Sequence, residues 1–369
     1  MNYCFIFGHE PWLLPPALEM VEVLRKNGNS VDIIYARYTG ATPAEKDYDT
    51  ALTFEIIENG GKVRRLLKHL YLAASFKKLQ AQKKTDVVIA CDILALQALA
   101  TVNTSAKTGY WCFEEPLSKN MLSLEYYRVS RLSSWINKLS FLIMPSPTRE
   151  KWLKNKFGIT IPSVVIYNCR QYKHEERKGL QGIPPFDTLC AYTGKISSTQ
   201  YVDEIIGAIA RQDNGTGLAI AGPADAEYYE QLKAKVNADE NLKQRVIFLG
   251  RITRDEVYDL IAMSDIGFVL YGLDMNGQEI DPAPNKLGDY IAGESWVIGS
   301  GQEYLKYWLH GKGAGVCVDE INSHTLAAAI ETISKDPQFS DKSVLRKLYQ
   351  NELNMNVQGE KLEKLISTL

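Results

Sequence analysis

Asp281-Pro-Ala-Pro-Asn-Lys-Leu-Gly-Asp289-Tyr-Ile-Ala-Gly-Glu-Ser-Trp-Val-Ile-Gly-Ser300 passes from a Pro-rich loop into a short helix and then into an apolar strand. Asn285 is of a type that caps helices, its amide oxygen accepting from an orphan backbone N–H. Gly293 is expected to end the helix in a left-handed conformation. Trp296 to Ile298 read as a buried strand. A helix N-terminus beside a strand end favours phosphate, because its free N–H groups and dipole both point at the anion. Asp281 and Asp289 bracket that N-terminus. Both are candidates to touch a ligand docked there; the alternative is loop solvation and helix capping.

Outward from this stretch, strand-like and helix-like segments alternate. Before it come Tyr3–Phe7, a helical pattern over 13–27, Val31–Tyr35, Asp86–Ala90, a helix from Ile93 to Thr101, and Gly109–Phe113. A helical pattern over 122–139, Phe141–Met144, a helix over 148–157 and Ser163–Tyr167 follow. A polar break over 169–187 contains Gly182-Ile-Pro-Pro185 and predicts a linker, placed at 171–187. Alternation resumes at Thr188–Thr193 and runs to a helix over 325–335, then a last helical pattern from Val344 to Ser367. Such an order implies parallel sheets with helices on both faces. Domains are expected at 1–170 and 188–340, with 341–369 returning to the first.

Composition excludes several classes. A chain of 369 residues, 45% hydrophobic and 23% charged, is ordinary for a soluble globular protein of two domains. No window reaches the roughly 18 uncharged apolar residues of a membrane-spanning helix, and the N-terminus reads as a strand rather than a signal peptide. The six Cys, at 4, 91, 112, 169, 190 and 317, are far apart and show no metal-ligand spacing. They predict reduced thiols and a cytoplasmic protein. Residues 1–168 carry +6 and the remainder −8, for a total of −2, so one half is suited to an anionic surface.

Glycines recur where strands end. Thr193-Gly194-Lys195-Ile196, Ala221-Gly222-Pro223 and Leu249-Gly250-Arg251-Ile252 each follow a strand. One such glycine is usually a turn. Three in succession, followed by Pro284-Asn285-Lys286, describe a sheet edge kept open for a phosphate, with Lys195 supplying charge.

Residues 188–300 resemble the donor domain of GT-B nucleotide-sugar glycosyltransferases, most closely glycosyltransferase family 4. The likeness rests on Tyr192-Thr-Gly-Lys195, Asp203-Glu-Ile-Ile206, Leu218-Ala-Ile-Ala-Gly-Pro223, Val246-Ile-Phe-Leu-Gly-Arg251, Val257-Tyr-Asp-Leu-Ile-Ala-Met-Ser-Asp265 and Pro284-Asn-Lys-Leu-Gly-Asp-Tyr-Ile-Ala-Gly293. It implies an α/β protein of GT-B fold, two Rossmann-like doubly wound domains facing across a cleft. It also implies an enzyme that retains anomeric configuration without an obligatory metal or other cofactor. The family's paired glutamates, one for the donor sugar and one for the ribose, correspond to Asp281 and Asp289. Its basic pair on the diphosphate corresponds to Lys195 and, as a departure, Gln200; Lys286 is the candidate replacement. Gly194, Gly222, Pro284, Asn285 and Leu287 would complete the donor site, with Arg251 and Ile252 at the base.

The first half is expected to hold the acceptor. His9, after the first strand, is a candidate to orient a hydroxyl, and Glu114, beside Glu115, to activate one; both have structural alternatives. Lys62 to Lys84 holds eight basic residues and no acidic one. It suits an anionic membrane surface or a solvated helix face; nothing marks it for nucleic acid. The expected activity is transfer from a nucleoside-diphosphate sugar, UDP-linked, to a glycan or lipid-linked saccharide in bacterial surface polysaccharide synthesis. The alternatives are a GT-B nucleotide-sugar epimerase and a non-catalytic nucleotide-sugar-binding subunit.

Overall fold

The computed structural model describes residues 1–38, 51–56, 67–113, 124–174, 177–272 and 283–369. The chain divides into two compact units, one of Met1–Tyr167 with Met355–Leu369, the other of Asn168–Asn354. No described helix is long and apolar enough to cross a membrane.

Unit 1 is built on β1 Asn2–Phe7, β2 Ser30–Tyr38, β3 Ala51–Ile56, β4 Val87–Ala90, β5 Lys107–Trp111, β6 Phe141–Met144 and β7 Ser163–Val165. Its sheet order is β3-β2-β1-β4-β5-β6-β7, and all its pairs are parallel. Tyr3 to Phe7 are buried without alternation, as a parallel strand covered on both faces requires. The helices are α1 Pro15–Lys26, α2 Lys68–Gln82, α3 Ile93–Leu99, α4 Leu124–Ile136 and α5 Pro147–Phe157. Local chemistry sets the ends of α5. Ser146 Oγ accepts from the Arg149 N–H at 3.1 Å, Pro147 occupies the first turn where no N–H is needed, and Gly158 closes it at φ 59°.

Unit 2 repeats the plan with β8 Thr188–Thr193, β9 Thr216–Ala221, β10 Val246–Gly250, β11 Ile266–Val269, β12 Trp296–Ser300 and β13 Gly315–Val318. The order is β10-β9-β8-β11-β12-β13, again parallel. Its helices are α6 Val202–Ile209, α7 Ala226–Asn237, α8 Glu240–Arg245, α9 Arg254–Ala262, α10 Asn285–Ala292, α11 Glu303–Lys306, α12 Ser323–Lys335 and α13 Ser343–Asn351. Strand order reverses between β8 and β11, which places the ligand crevice of such a sheet at the carboxyl ends of these strands. The last helix, α14 Met355–Thr368, falls in unit 1. There Met355, Leu362 and Ile366 are buried, and Gly359 lets its backbone approach Val23 of α1.

Several expectations change. The helical pattern from Val344 to Ser367 is two helices, and they belong to different units. The stretch expected as a linker, 171–187, packs along α9 where described. Arg177 lies 3.5 Å from Asp259 and over the rings of Tyr172 and Tyr258, and the Leu180 N–H meets Met263 Sδ. Strand β3 and the short helices α8 and α11 had no periodicity long enough to read.

The central stretch also departs in detail. Asn285 does not cap α10: Pro284 is the extended residue before it and Asn285 is the first helical one. Gly293 is not left-handed, with φ −83°. Its smallness answers to Ile261, whose Cγ2 a β-carbon there would strike. The left-handed residue is Glu294, φ 62°, gripped by Arg346 through two bonds of 2.7 and 2.9 Å.

Candidate functional site

The carboxyl ends of β8, β9, β10 and β11 and the start of α10 surround a cavity of about 550 Å³ within unit 2. Three strand-end loops make its floor. Gly194 N–H donates to the Ala221 carbonyl at 2.9 Å, and Gly222 N–H to that of Gly250 at 2.8 Å. Gly194 and Gly222 hold φ of 140° and 146°, a region open to glycine. At Gly222 space adds a second demand, since a β-carbon would collide with the Gly194 carbonyl. The result is a backbone ledge without side chains, which a phosphate can approach closely.

Two tyrosines fix this ledge. Tyr290, inside α10, sends its hydroxyl beneath β8, where it accepts from the Thr193 N–H at 2.9 Å and donates to the Ala191 carbonyl at 3.1 Å. Its ring occupies the place a side chain at Gly267 would take. Burial pushes the Tyr290 phenol up to about 12, so it stays neutral. Tyr192 donates to the Lys195 carbonyl at 2.6 Å and so holds the turn after β8.

The lining is cationic. Arg170, Lys195, Arg251, Arg254 and Lys286 face Asp289 as the carboxylate among the described lining residues. No described carboxylate pairs with Lys195, Arg251 or Lys286. Burial lowers the Lys286 amine to about 8, because removal of water disfavours the charged form. Asn285 Oδ1 is buried without a hydrogen-bond donor among the described residues. Asp289 is 7% exposed, with Arg170 Nε 3.8 Å from its Oδ1. Burial opposes the charge on Arg170, but Asp289 and Tyr258 outweigh it and hold its pKa above the usual value. A site with this ledge, these cations and one buried acid suits an anion carrying a hydroxylated group.

Residues 174–351 match the family described as glycosyl transferases group 1. Among solved structures, the chain is similar to sucrose-phosphate synthase of Thermosynechococcus elongatus, at 16% identity and TM-score 0.74, over 100% of this chain and 98% of that one. It is similar to HepE of Anabaena in complex with UDP, at 17% and 0.73, over 100% of both. It is also similar to a UDP-forming α,α-trehalose-phosphate synthase from Burkholderia xenovorans, at 12% and 0.68, over 100% and 99%. No curated protein matches by sequence. These identities establish shared fold.

The chain has the GT-B fold, and its second unit carries the glycosyl transferases group 1 match.

The protein brings together most of the residues expected at a donor site. Gly194, Lys195, Gly222, Arg251, Ile252, Pro284, Asn285, Lys286 and Asp289 all line the cavity, as does Gln200. Leu287 does not; it is 1% exposed and packs inward. Asp281, Glu114 and Glu115 lie outside the described residues, as do residues 62–66 of the basic stretch. His9 is exposed at the end of β1 in unit 1. Sequence reasoning missed Arg170, Arg254 and Val257 as lining residues. Arg170 stands in the polar break, where no periodicity singles it out. The available signal was indirect: a carboxylate buried in a helix needs a counter-charge, and Asp289 has no basic residue one turn away on either side except Lys286.

Proposed function

We propose that this protein is a glycosyltransferase that moves a sugar from a UDP-sugar to a hydroxyl of a glycan or lipid-linked saccharide, with retention, in bacterial surface polysaccharide synthesis. One observation carries the reading: cations without described carboxylate partners, Lys195, Arg251 and Lys286, surround a glycine ledge whose other wall holds the buried acid Asp289. HepE of Anabaena, similar in fold, forms complexes with UDP, with UDP and glucose, and with UDP-glucose, which supports it.

In this reading the bond from the anomeric carbon to the β-phosphate oxygen breaks and its electron pair goes to UDP. Lys195, Lys286 and the start of α10 stabilise that charge. The acceptor oxygen bonds to the same face, and its proton passes to the departing phosphate. No strong protein base and no obligatory metal is then required. The acceptor side is assigned to unit 1, where His9 is exposed after β1. The basic stretch is assigned to an anionic membrane surface; within it α2 leaves Leu70 and Tyr71 exposed.

The test is UDP release from a panel of UDP-sugars, with and without saccharide acceptors, and NMR of the product's anomeric centre. Acceptor-dependent release with retained configuration is expected. A new UDP-sugar formed without acceptor would make the protein an epimerase. A thermal shift with UDP but no turnover would make it a binding subunit.

A further inference from the structure

Tyr201 ends a 3₁₀ turn over Ser198–Gln200, just before α6, with φ 57° and ψ 25°. A bulky side chain in this left-handed region is a backbone outlier, and glycine or asparagine would stand there at less cost. Gly272, past the end of β11, is the reverse case. It is not one of the glycines with positive φ, so its backbone would suit an ordinary residue. What bars a side chain at Gly272 is the Tyr201 hydroxyl, which fills the place of a β-carbon there. One contact therefore accounts for both positions: a tyrosine where the backbone favours glycine, and a glycine where space alone requires it. Backbone strain of this kind persists where the surroundings hold it, and it gathers at ligand sites.

The phenol spans two loops that adjoin the cavity. Gln200 and Tyr271, each next in sequence to a contact residue, line it. The Gln200 N–H donates to the Ser197 carbonyl at 3.0 Å and the Ile205 N–H to that of Tyr201 at 3.1 Å, which fixes the first loop. On the second, the Tyr271 N–H donates to Ser300 Oγ and its carbonyl accepts from Gln302 Nε2, both at 2.8 Å. In the nucleotide-sugar reading above, the base lies by Arg251 at the end of β10 and the diphosphate by Lys195 at the end of β8. The strand order β10-β9-β8-β11 then carries the group beyond the diphosphate to the end of β11, beside Tyr271. We propose that Tyr201 is a positioning residue for donor selection: braced on Gly272, it sets the width of the cavity between Gln200 and Tyr271 and so which sugar on UDP is accepted. The inference rests on that reading and adds to it a residue that governs specificity from outside the lining.

The experiment is calorimetric titration of UDP, UDP-glucose, UDP-galactose, UDP-N-acetylglucosamine and UDP-glucuronic acid into the full-length protein and into Tyr201→Gly, Tyr201→Asn and Gly272→Ala, with urea unfolding of each. The wild type should bind its best UDP-sugar at least about tenfold more tightly than its worst. Glycine and asparagine suit the left-handed backbone, so both Tyr201 variants should keep a urea midpoint close to that of the wild type. Their spread across the UDP-sugars should narrow by about tenfold, while affinity for UDP itself changes less than about threefold. Gly272→Ala should lower the midpoint, and that loss should vanish in the Tyr201→Gly background, where the added methyl meets no phenol. Should Tyr201→Gly fail to fold, Tyr201→Asn and Gly272→Ala decide. An unchanged spread in the Tyr201 variants, equal wild-type affinity for all four UDP-sugars, or a Gly272→Ala loss of the same size in both backgrounds overturns the proposal while leaving UDP binding intact. A uniform loss of affinity for UDP and every UDP-sugar would mark Tyr201 as merely structural and overturn it too. No binding of UDP to the wild type overturns the nucleotide reading, and this inference falls with it.

Discussion

Lys286 Nζ lies 5.0 Å from the centre of the Tyr192 ring, and the hydroxyl of that same ring donates to the Lys195 carbonyl at 2.6 Å. Tyr192 therefore ties together the two lysines assigned to the diphosphate. Its aromatic face favours the ammonium while excluding water that would otherwise solvate it.

Donor affinity should consequently depend on pH. Burial lowers the Lys286 amine from 10.5 to about 8. UDP should bind most tightly below that value and progressively less tightly above it, as the ammonium deprotonates. Lys286→Met should weaken UDP about tenfold or more at pH 7 and flatten the profile; titrations at pH 7 and 9 check both. For the free protein the sign is opposite. Between about 8 and 10.5 the unfolded chain binds more protons at this residue, so its contribution to stability rises with pH across that window.

The ledge glycines should differ in what their replacement damages. Gly222→Ala drives a β-carbon into the Gly194 carbonyl and should destabilise unit 2 by roughly 2 kcal/mol or more. Gly194→Ala has room, its β-carbon lying 3.7 Å from Tyr192 Oη and 3.8 Å from Lys286 Nζ. It costs backbone strain of about 1–2 kcal/mol but occupies the phosphate approach. Denaturant melts beside UDP titrations should show Gly194→Ala losing affinity out of proportion to stability; parallel losses would contradict the ledge.

Tyr290→Phe leaves the Thr193 N–H and the Ala191 carbonyl buried without the hydroxyl between them. A loss of about 1–3 kcal/mol is expected, read from urea unfolding. An unchanged midpoint would show that the hydroxyl does not hold the end of β8.

Deletion of residues 355–369 should unfold unit 1 in preference to unit 2. Met355, Leu362 and Ile366 are buried there, and Glu363 accepts from Asn27 and Asn29 at 3.1 and 3.0 Å. Three buried apolar side chains correspond to roughly 4–9 kcal/mol. Hydrogen exchange would locate the loss; protection lost from α6 and β9 while β1 and β4 keep theirs would refute the assignment.

Much of this architecture was legible from local pattern. Thr188–Thr193 and Phe141–Met144 are strands where apolar runs meet glycine or polar residues. Most of the residues lining the cavity were legible too, because strand-end glycines and a helix start are local features. The termini of α10 were misread because capping preference is weak beside packing. Pro284 already supplies the extended residue, and Ile261 rather than backbone handedness requires Gly293.

By itself the sequence determined two parallel α/β units, since strand and helix periodicities arise from neighbours within a few positions. It also determined which strand ends carry flexible backbone and positive charge. Only the tertiary structure decided that Arg170 stands against Asp289, that Leu287 turns inward and that the final helical pattern is shared between units. Those facts follow from which distant segments the sheets bring side by side, and a buried charge or a small residue is selected by the neighbour it meets there.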